Sequence, residues 1–296
     1  MDHKAVLARL PADTRAQLTE TRDAPGLWHL ASHLGAIIVI GALILARVPF
    51  WPVLMLPQGI LLVFLFTLLH ETVHDTPFRT RWLNRAAGLL CGALLFLPPV
   101  WFRWFHLAHH RHTQIPGKDP ELAEPKPEAL RGWLHHVSGL PVWTGHARTL
   151  IRNATGQGDA AYVPTARRTD LTREARRLLG LYACLLLLSL IAGSTALLWV
   201  WLIPLLLGQP FLRVYLLAEH GRCAFVANML ENSRTTFTNR LVRWLAWNMP
   251  YHAEHHSFPA VPFHQLPALH AHMAPHLAVT ENGYRRFTAK YLSTLR

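Results

Sequence analysis

Histidines at short, regular spacing are the residues of this chain best suited to chemistry. They form three clusters, HxxxH over residues 70–74, HxxHH over 106–110 and HxxHH over 252–256, which we call box one, box two and box three. On a helix, residues three and four apart share a face, so the imidazoles of each box can converge on one metal ion. Neutral imidazole is a good ligand for iron, zinc and copper. The boxes therefore predict a metal site assembled from three separate parts of the chain.

The number of histidines indicates two metal ions rather than one. The boxes supply His70, His74, His106, His109, His110, His252, His255 and His256. These are too many for one four-coordinate zinc ion and suit two neighbouring ions of higher coordination number. His220 is a ninth candidate, because it follows an apolar segment just as box one does. His112 lies two residues beyond box two, which turns it away from the other three on a helix, so we leave it out as a ligand.

Acidic residues beside the boxes could accept a hydrogen bond from the second nitrogen of an imidazole and so fix the ring. The candidates are Glu71, Asp75, Asp119, Glu219 and Glu254. We expect Asp75 and Glu254 to have this role. The other three are interpreted as solvated charges or helix caps.

Box one also fits a second signature. Its sequence, His-Glu-Thr-Val-His, matches the HExxH motif of zinc proteases, in which the glutamate is the general base. That motif is short, and a protease would leave boxes two and three unexplained. A metal transporter or chaperone would place ligands within the bilayer, whereas these histidines follow the apolar segments. The membrane zinc protease stays as the remote alternative.

Two pairs of apolar segments predict four membrane-spanning helices. They are residues 28–46, 52–69, 178–195 and 196–218. Each is close to the roughly 20 residues that cross a bilayer. The whole chain is only 16% charged, against about a quarter in soluble domains. The sequence therefore predicts an all-α integral membrane protein with two transmembrane hairpins, in which residues 1–296 form a single domain.

A shorter apolar segment, residues 86–100, is interrupted by glycine and proline. If it crossed the membrane once, boxes one and two would emerge on opposite faces and could not share a metal site. We therefore expect a re-entrant or interfacial helix that returns to its starting side.

Basic residues indicate the orientation. The turns of the two predicted hairpins contain a single basic residue, Arg47. Nearly all other basic residues lie in the N-terminal lead, in 71–177 and in the tail. The positive-inside tendency then makes both termini and a cap of histidine boxes cytoplasmic. The net charge of +12 also suits an anionic lipid surface. We expect no nucleic-acid partner, because no binding motif accompanies the charge.

Over residues 28–270 the chain resembles the membrane fatty acid desaturase/hydroxylase superfamily. The resemblance rests on the order of the three boxes around two hairpins and on their flanking sequences. The flanks are His74-Asp75 after box one, Lys118-Asp119-Pro120-Glu121 after box two, Asn248-Met249-Pro250-Tyr251 before box three, and Leu217-Ala218-Glu219-His220-Gly221. The last of these resembles an additional ligand segment that the superfamily carries before its third box.

The resemblance implies a pair of non-haem irons and O2 as co-substrate. The positions that match the superfamily's ligands are His70, His74, His106, His109, His110, His220, His252, His255 and His256. The implied activity is oxidation of an unactivated C–H bond in a fatty acyl or similar lipid chain, with desaturation as the first interpretation. Hydroxylation, ketolation and decarboxylation to a terminal alkene stay open.

The resemblance also implies a source of electrons. No cytochrome or ferredoxin cysteine set is visible in the sequence. We therefore expect a separate donor of the ferredoxin/reductase type, and we expect the protein to lie in a bacterial inner membrane.

Overall fold

The computed structural model describes residues 2–296 and is mostly helical. The helices and strands follow one another as α1 (His3–Ala8), α2 (Ala12–Leu18), α3 (Asp23–Leu45), α4 (Trp51–Val73), α5 (Arg81–Leu94), α6 (Pro99–His112), α7 (Leu130–Val137), α8 (Leu140–Ala154), α9 (Arg168–Ile191), α10 (Ile203–His220), α11 (Met229–Asn232), β1 (Thr235–Phe237), α12 (Arg240–Leu245), α13 (His252–Ser257), α14 (Leu266–Met273), β2 (Thr280–Asn282) and α15 (Tyr284–Ser293). A π-helical turn, Leu198–Leu202, leads into α10.

Three segments of the described chain are long and apolar enough to cross a bilayer. They are Ala12–Leu45, which includes α3, then α4, and Leu198–His220, which includes α10. Helix α9 does not match its predicted span, because its first ten residues carry all of its charges and it ends at Ile191. The uncharged part, residues 178–191, is about 21 Å long at 1.5 Å per residue, against a hydrocarbon core of about 30 Å.

Helix α4 ends within box one, and helix α10 ends at His220. The two helices cross at two glycines. A Cβ on Gly59 would lie 1.9 Å from the carbonyl oxygen of Pro204, and a Cβ on Gly208 would lie 2.3 Å from that of Gly59. Any side chain would therefore push the two backbones apart. The crossing brings the two histidine-bearing helix ends side by side.

The short apolar segment forms α5 and the start of α6, which meet at 101°. Phe96, in the left-handed region at φ 56°, and the prolines 98 and 99 break the helix there. The first turn of α6 is fixed by α9, because Glu174 Oε2 accepts a hydrogen bond of 2.8 Å from the Val100 amide. The bend turns α6 back along the molecule and so directs box two toward box one.

Box three lies on α13, within a compact C-terminal region. Strands β1 and β2 pair in parallel, with Thr236 opposite Glu281, and the Thr236 amide donates to the Pro250 carbonyl at 2.9 Å. Trp247, which is fully buried, extends its indole nitrogen to within 3.4 Å of His33 on α3. These contacts hold α13 against the membrane helices.

Candidate metal centre

The ends of α4, α6 and α10 meet α13 at one place, and the nine predicted histidines converge there in two groups. The first group is His70, His74, His106, His110 and His255, which each offer one ring nitrogen within 4.8 Å of the others. The second is His109, His220 and His256, by the same measure. His252 adjoins the second group, with its Nε2 2.9 Å from that of His220.

The distances between ring nitrogens suit ligands arranged around a cation. The Nε2 atoms of His70 and His255 are 2.7 Å apart, and those of His109 and His220 are 3.2 Å apart. Two imidazoles at right angles around an ion about 2.1 Å away would be about 3.0 Å apart.

Buried ring nitrogens without a hydrogen-bond partner give a second test of whether these residues fit metal ions. Both ring nitrogens of His110 and Nε2 of His256 are buried without a hydrogen-bond partner. Buried polar atoms are rarely left in this state unless another ligand binds them. The residues therefore fit two metal ions, and an all-imidazole donor set suits iron, zinc or copper.

The histidines of box three are neutral at physiological pH. Burial, assisted by the neighbouring histidines, lowers the pKa of His252, His255 and His256 well below the ordinary value. Neutral imidazole is the form that binds metal ions. The interior position of box three therefore keeps these rings ready to act as ligands.

Three carboxylates face the outer nitrogens of the rings. The Nδ1-to-oxygen pairs are His109 with Asp119 at 2.9 Å, His252 with Glu219 at 3.3 Å and His255 with Glu71 at 3.6 Å. A carboxylate on one ring nitrogen fixes the orientation of the ring and makes the opposite nitrogen a better ligand. The first pair has hydrogen-bond geometry, whereas the third is a longer charge contact.

Asp75 and Glu254, the two acids expected to orient the rings, lie elsewhere. Asp75 follows the end of α4 in the left-handed region, at φ 58°, and pairs with Arg103 at 3.0 Å. On α13, Glu254 is two residues away from both His252 and His256. Its side chain therefore points about 200° around the helix axis from each of theirs. It contacts His270 and accepts a hydrogen bond of 2.5 Å from Thr235 Oγ1. The three acids interpreted as solvated charges or caps are the ones that face the rings.

Two further partners were missed by the sequence analysis. The carbonyl oxygen of Asn232 lies 2.9 Å from His220 Nδ1, and Thr113 Oγ1 lies 3.1 Å from His256 Nδ1. Thr113 directly follows the helix of box two, but a backbone carbonyl twelve residues after His220 carries no sequence signal. His112 is half-buried and lies in neither histidine group.

A cavity of about 430 Å³ opens beside the histidines. His106, His109 and His220 form one end of it, and the aromatic rings of Phe102 and Phe105 form part of the wall. Cavities of this size and mixed lining are typical of small-molecule sites. The arrangement can place an organic molecule next to bound metal ions.

The chain is similar to several known proteins. A fatty acid conjugase of Calendula officinalis is 25% identical over 242 residues, which cover 72% of this chain and 64% of the conjugase. The dihydrorhizobitoxine desaturase of Bradyrhizobium elkanii is 25% identical and covers 93% of this chain and 82% of the relative. A Delta(12)-acyl-lipid-desaturase of Punica granatum is 29% identical over 105 residues, 36% of this chain and 26% of that protein. The chain thus spans less than two thirds of the length of the plant relatives. The fatty acid desaturase family model matches residues 22–288, so the chain belongs to the fatty acid desaturase family.

Proposed function

We propose that this protein is an O2-dependent di-iron oxidoreductase of a membrane, which desaturates an acyl or similar lipid chain. The observation that carries the proposal is the meeting of nine histidines, seven buried and two half-buried, in two groups beside a partly aromatic cavity. Two of the relatives are named as desaturases, which favours desaturation over hydroxylation, ketolation or decarboxylation. In desaturation the substrate loses two hydrogens, and O2 with two further electrons and two protons leaves as two waters.

The two histidine groups would hold the irons. His70, His74, His106, His110 and His255 would bind one, and His109, His220, His252 and His256 the other. Iron bound there would supply the one-electron and O2 chemistry that side chains lack.

The chain itself holds the rings and shapes the space beside them. Asp119 and Thr113 hold the outer nitrogens of His109 and His256, and Glu219 faces that of His252 as a charge contact, so that the inner nitrogens point inward. Phe66 and Phe102 pack with centroids 5.3 Å apart in the cavity wall, which keeps water from the reacting carbon.

The remote protease alternative is disfavoured by Glu71. Its Oε2 accepts hydrogen bonds from Thr76 Oγ1 at 3.0 Å and from the Phe263 amide at 3.1 Å. Its Oε1 faces His255 Nδ1. A general base must instead reach a water on the metal.

The proposal includes a topology. The single desaturase-like domain would span residues 1–296, with α3, α4 and α10 as membrane crossings and α5–α6 as the re-entrant element. Helix α9 would be a fourth, shorter crossing, whose charged first turns would lie at the membrane surface. The sharp bend of 101° supports the re-entrant element. The boxes and both termini would face the cytoplasm of a bacterial inner membrane, where a ferredoxin/reductase-type donor supplies electrons.

Metal and product analysis tests the proposal. Protein purified in detergent from iron-replete cells should contain close to two irons per chain, and His109→Ala or His255→Ala should lose iron and all activity. The gene should be expressed in a host that naturally lacks the protein, and the cells supplied with labelled fatty acids. These cells should then form an unsaturated product. One zinc per chain, or full activity of either variant, would contradict the proposal. A hydroxylated, ketonic or shortened product would keep the di-iron site and replace the reaction.

A further inference from the structure

The cavity beside the histidines has a polar end that the proposed oxidation does not use. This end is formed by Gln209 and Arg213 on α10 and by His136 on α7. The turn before α8 closes it, because a Cβ on Gly139, at φ 76°, would lie 2.7 Å from Gln209 Cβ. An acyl chain alone would require only apolar walls here.

All three polar residues carry buried atoms without a hydrogen-bond partner. These atoms are Nε of Arg213, Oε1 of Gln209 and Nε2 of His136. Gln209 is only 2% exposed. Leaving such atoms unpaired is unfavourable, and finding three in one cavity indicates a missing polar ligand. Arg213 and His136 can donate to that ligand, whereas Gln209 Oε1 can only accept from it.

Charges around the cavity identify the sign of that ligand. Three carboxylates line it, but Glu121 and Glu219 face His109 and His252, at 3.8 and 3.3 Å. The third, Glu124, is exposed. Within residues 2–296, Arg213 forms no salt bridge, and Glu121 and Glu219 act on its charge only from a longer distance. Its guanidinium is therefore free to pair with an anion in the cavity.

His136 can adapt to an anion. Burial and the charge of Arg213 lower its pKa to about 4. The ring is therefore neutral at pH 7, and its unpartnered nitrogen can carry the proton and donate a hydrogen bond.

We propose that the substrate is an unesterified carboxylic acid, and that its carboxylate binds Arg213 at the polar end of this cavity. The proposal rests on the proposed function and names its substrate class. A guanidinium matches a carboxylate in charge and in its planar pair of donors. A carrier thioester or a lipid ester would present an uncharged carbonyl to Arg213.

The position of Arg213 limits the site of oxidation. It precedes His220 by seven residues of α10, a rise of about 10 Å. An extended chain advances about 1.2 Å per bond. The oxidised carbon should therefore lie within about ten bonds of the carboxylate.

Calorimetric titration of the metal-loaded protein in detergent tests the proposal. The ligands are octanoic acid, methyl octanoate and octanoyl-coenzyme A. The acid should bind about 10- to 100-fold more tightly than the methyl ester, the range of a charge-assisted hydrogen bond. Arg213→Gln should remove this difference, and Arg213→Lys should keep part of it. Arg148→Gln, which removes an exposed cation at the same cavity, should change acid binding less than about two-fold.

The outcomes separate this inference from the proposed function. The inference would be overturned if the unaltered protein bound the acid and the ester equally. It would also be overturned if the unaltered protein bound the coenzyme A thioester most tightly. Neither measurement requires a variant. An undiminished preference for the acid in Arg213→Gln would also overturn it. Arg213-dependent binding of the acid in a protein without iron or oxidation products would keep the inference and reject the di-iron function.

Discussion

At the scale of single residues, the histidines differ in the hydrogen-bond partner of the outer ring nitrogen, the one that faces away from the metal site. His109 has a carboxylate, His220 a backbone carbonyl and His256 a hydroxyl. The carboxylate of Asp119 also accepts from the Gln114 amide at 2.8 Å, so it joins the end of α6 to the loop that follows. A charged acceptor polarises the ring more strongly than a neutral one. Asp119 should therefore matter most for metal affinity.

Asp119→Asn should weaken metal binding about 10- to 100-fold, the usual effect of removing such a partner. Asp75→Asn is the matched control, because Asp75 directly follows box one but pairs with Arg103 at the surface rather than with a ring. It should leave metal affinity within about two-fold of the unaltered protein. Competition with a chromogenic chelator measures both. Equal weakening by the two variants would show that the loss is not specific to the contact with His109.

His220→Ala should abolish activity and reduce iron occupancy, although His220 lies outside the boxes. Its Nε2 is within 3.2 Å of His109 and 2.9 Å of His252, so its removal opens the second group. His112→Ala should retain iron and much of the rate, because His112 belongs to neither group. Iron content and product formation, measured on both proteins, decide the matter. Loss of iron from His112→Ala alone would mean that the ninth ligand has been misassigned.

At the scale of elements, the crossing of α4 and α10 sets the separation of the histidine groups. The two helices touch backbone to backbone at Gly59 and Gly208. Both helices then run toward the site, one to His70 and one to His220. A change at the crossing should therefore reach the metal centre without touching a ligand.

Gly208→Ala should destabilise the protein by about 1–3 kcal/mol, because the added Cβ meets backbone atoms that cannot rotate away. Gly180→Ala on α9 is the control, since nothing lies within 4 Å of its added Cβ. There alanine should be neutral or stabilising by up to about 1 kcal/mol. Thermal unfolding in detergent and iron content report both effects. A Gly208→Ala protein as stable as the control would show that the helices can separate at no cost.

At the scale of the whole molecule, the proposed topology determines which surfaces meet each side of the membrane. The turn at Arg47 stacks its guanidinium over Trp51, at 4.7 Å from the ring centroid. The same turn packs against the one before α10, where Trp51 meets Trp199 edge to face. Tryptophan at the ends of spans is typical of the membrane–water interface. The two turns thus share one end of the molecule, opposite the histidines.

Single cysteines in a cysteine-free background should report this arrangement in intact cells. Cysteines at positions 48 and 194 should react with an impermeant reagent from outside, and one at position 160 should not. Position 92, near the end of α5, should also stay unlabelled, because it lies on the re-entrant element. Efficient external labelling at 92 would contradict the re-entrant path.

The sequence by itself determined the boxes, three of the four apolar spans and the return of box two toward box one. These features are local or follow from continuity of the chain: i, i+3 and i+4 spacing places side chains on one helix face, and a segment that crossed once would separate boxes that must meet. The same angular argument excluded His112, and it would have excluded Glu254 had it been applied there.

Only the tertiary structure decided which histidines share a group and which acids face them. His109 and His110 are adjacent in sequence, yet they belong to different groups because they point about 100° apart on α6. Asp119 reaches the site from a loop and Asn232 from the end of the short helix α11. The positions of both depend on packing against α10 and α13 rather than on local spacing. The polar end of the cavity is likewise formed by α7 and α10 together, through contacts between residues far apart in the chain.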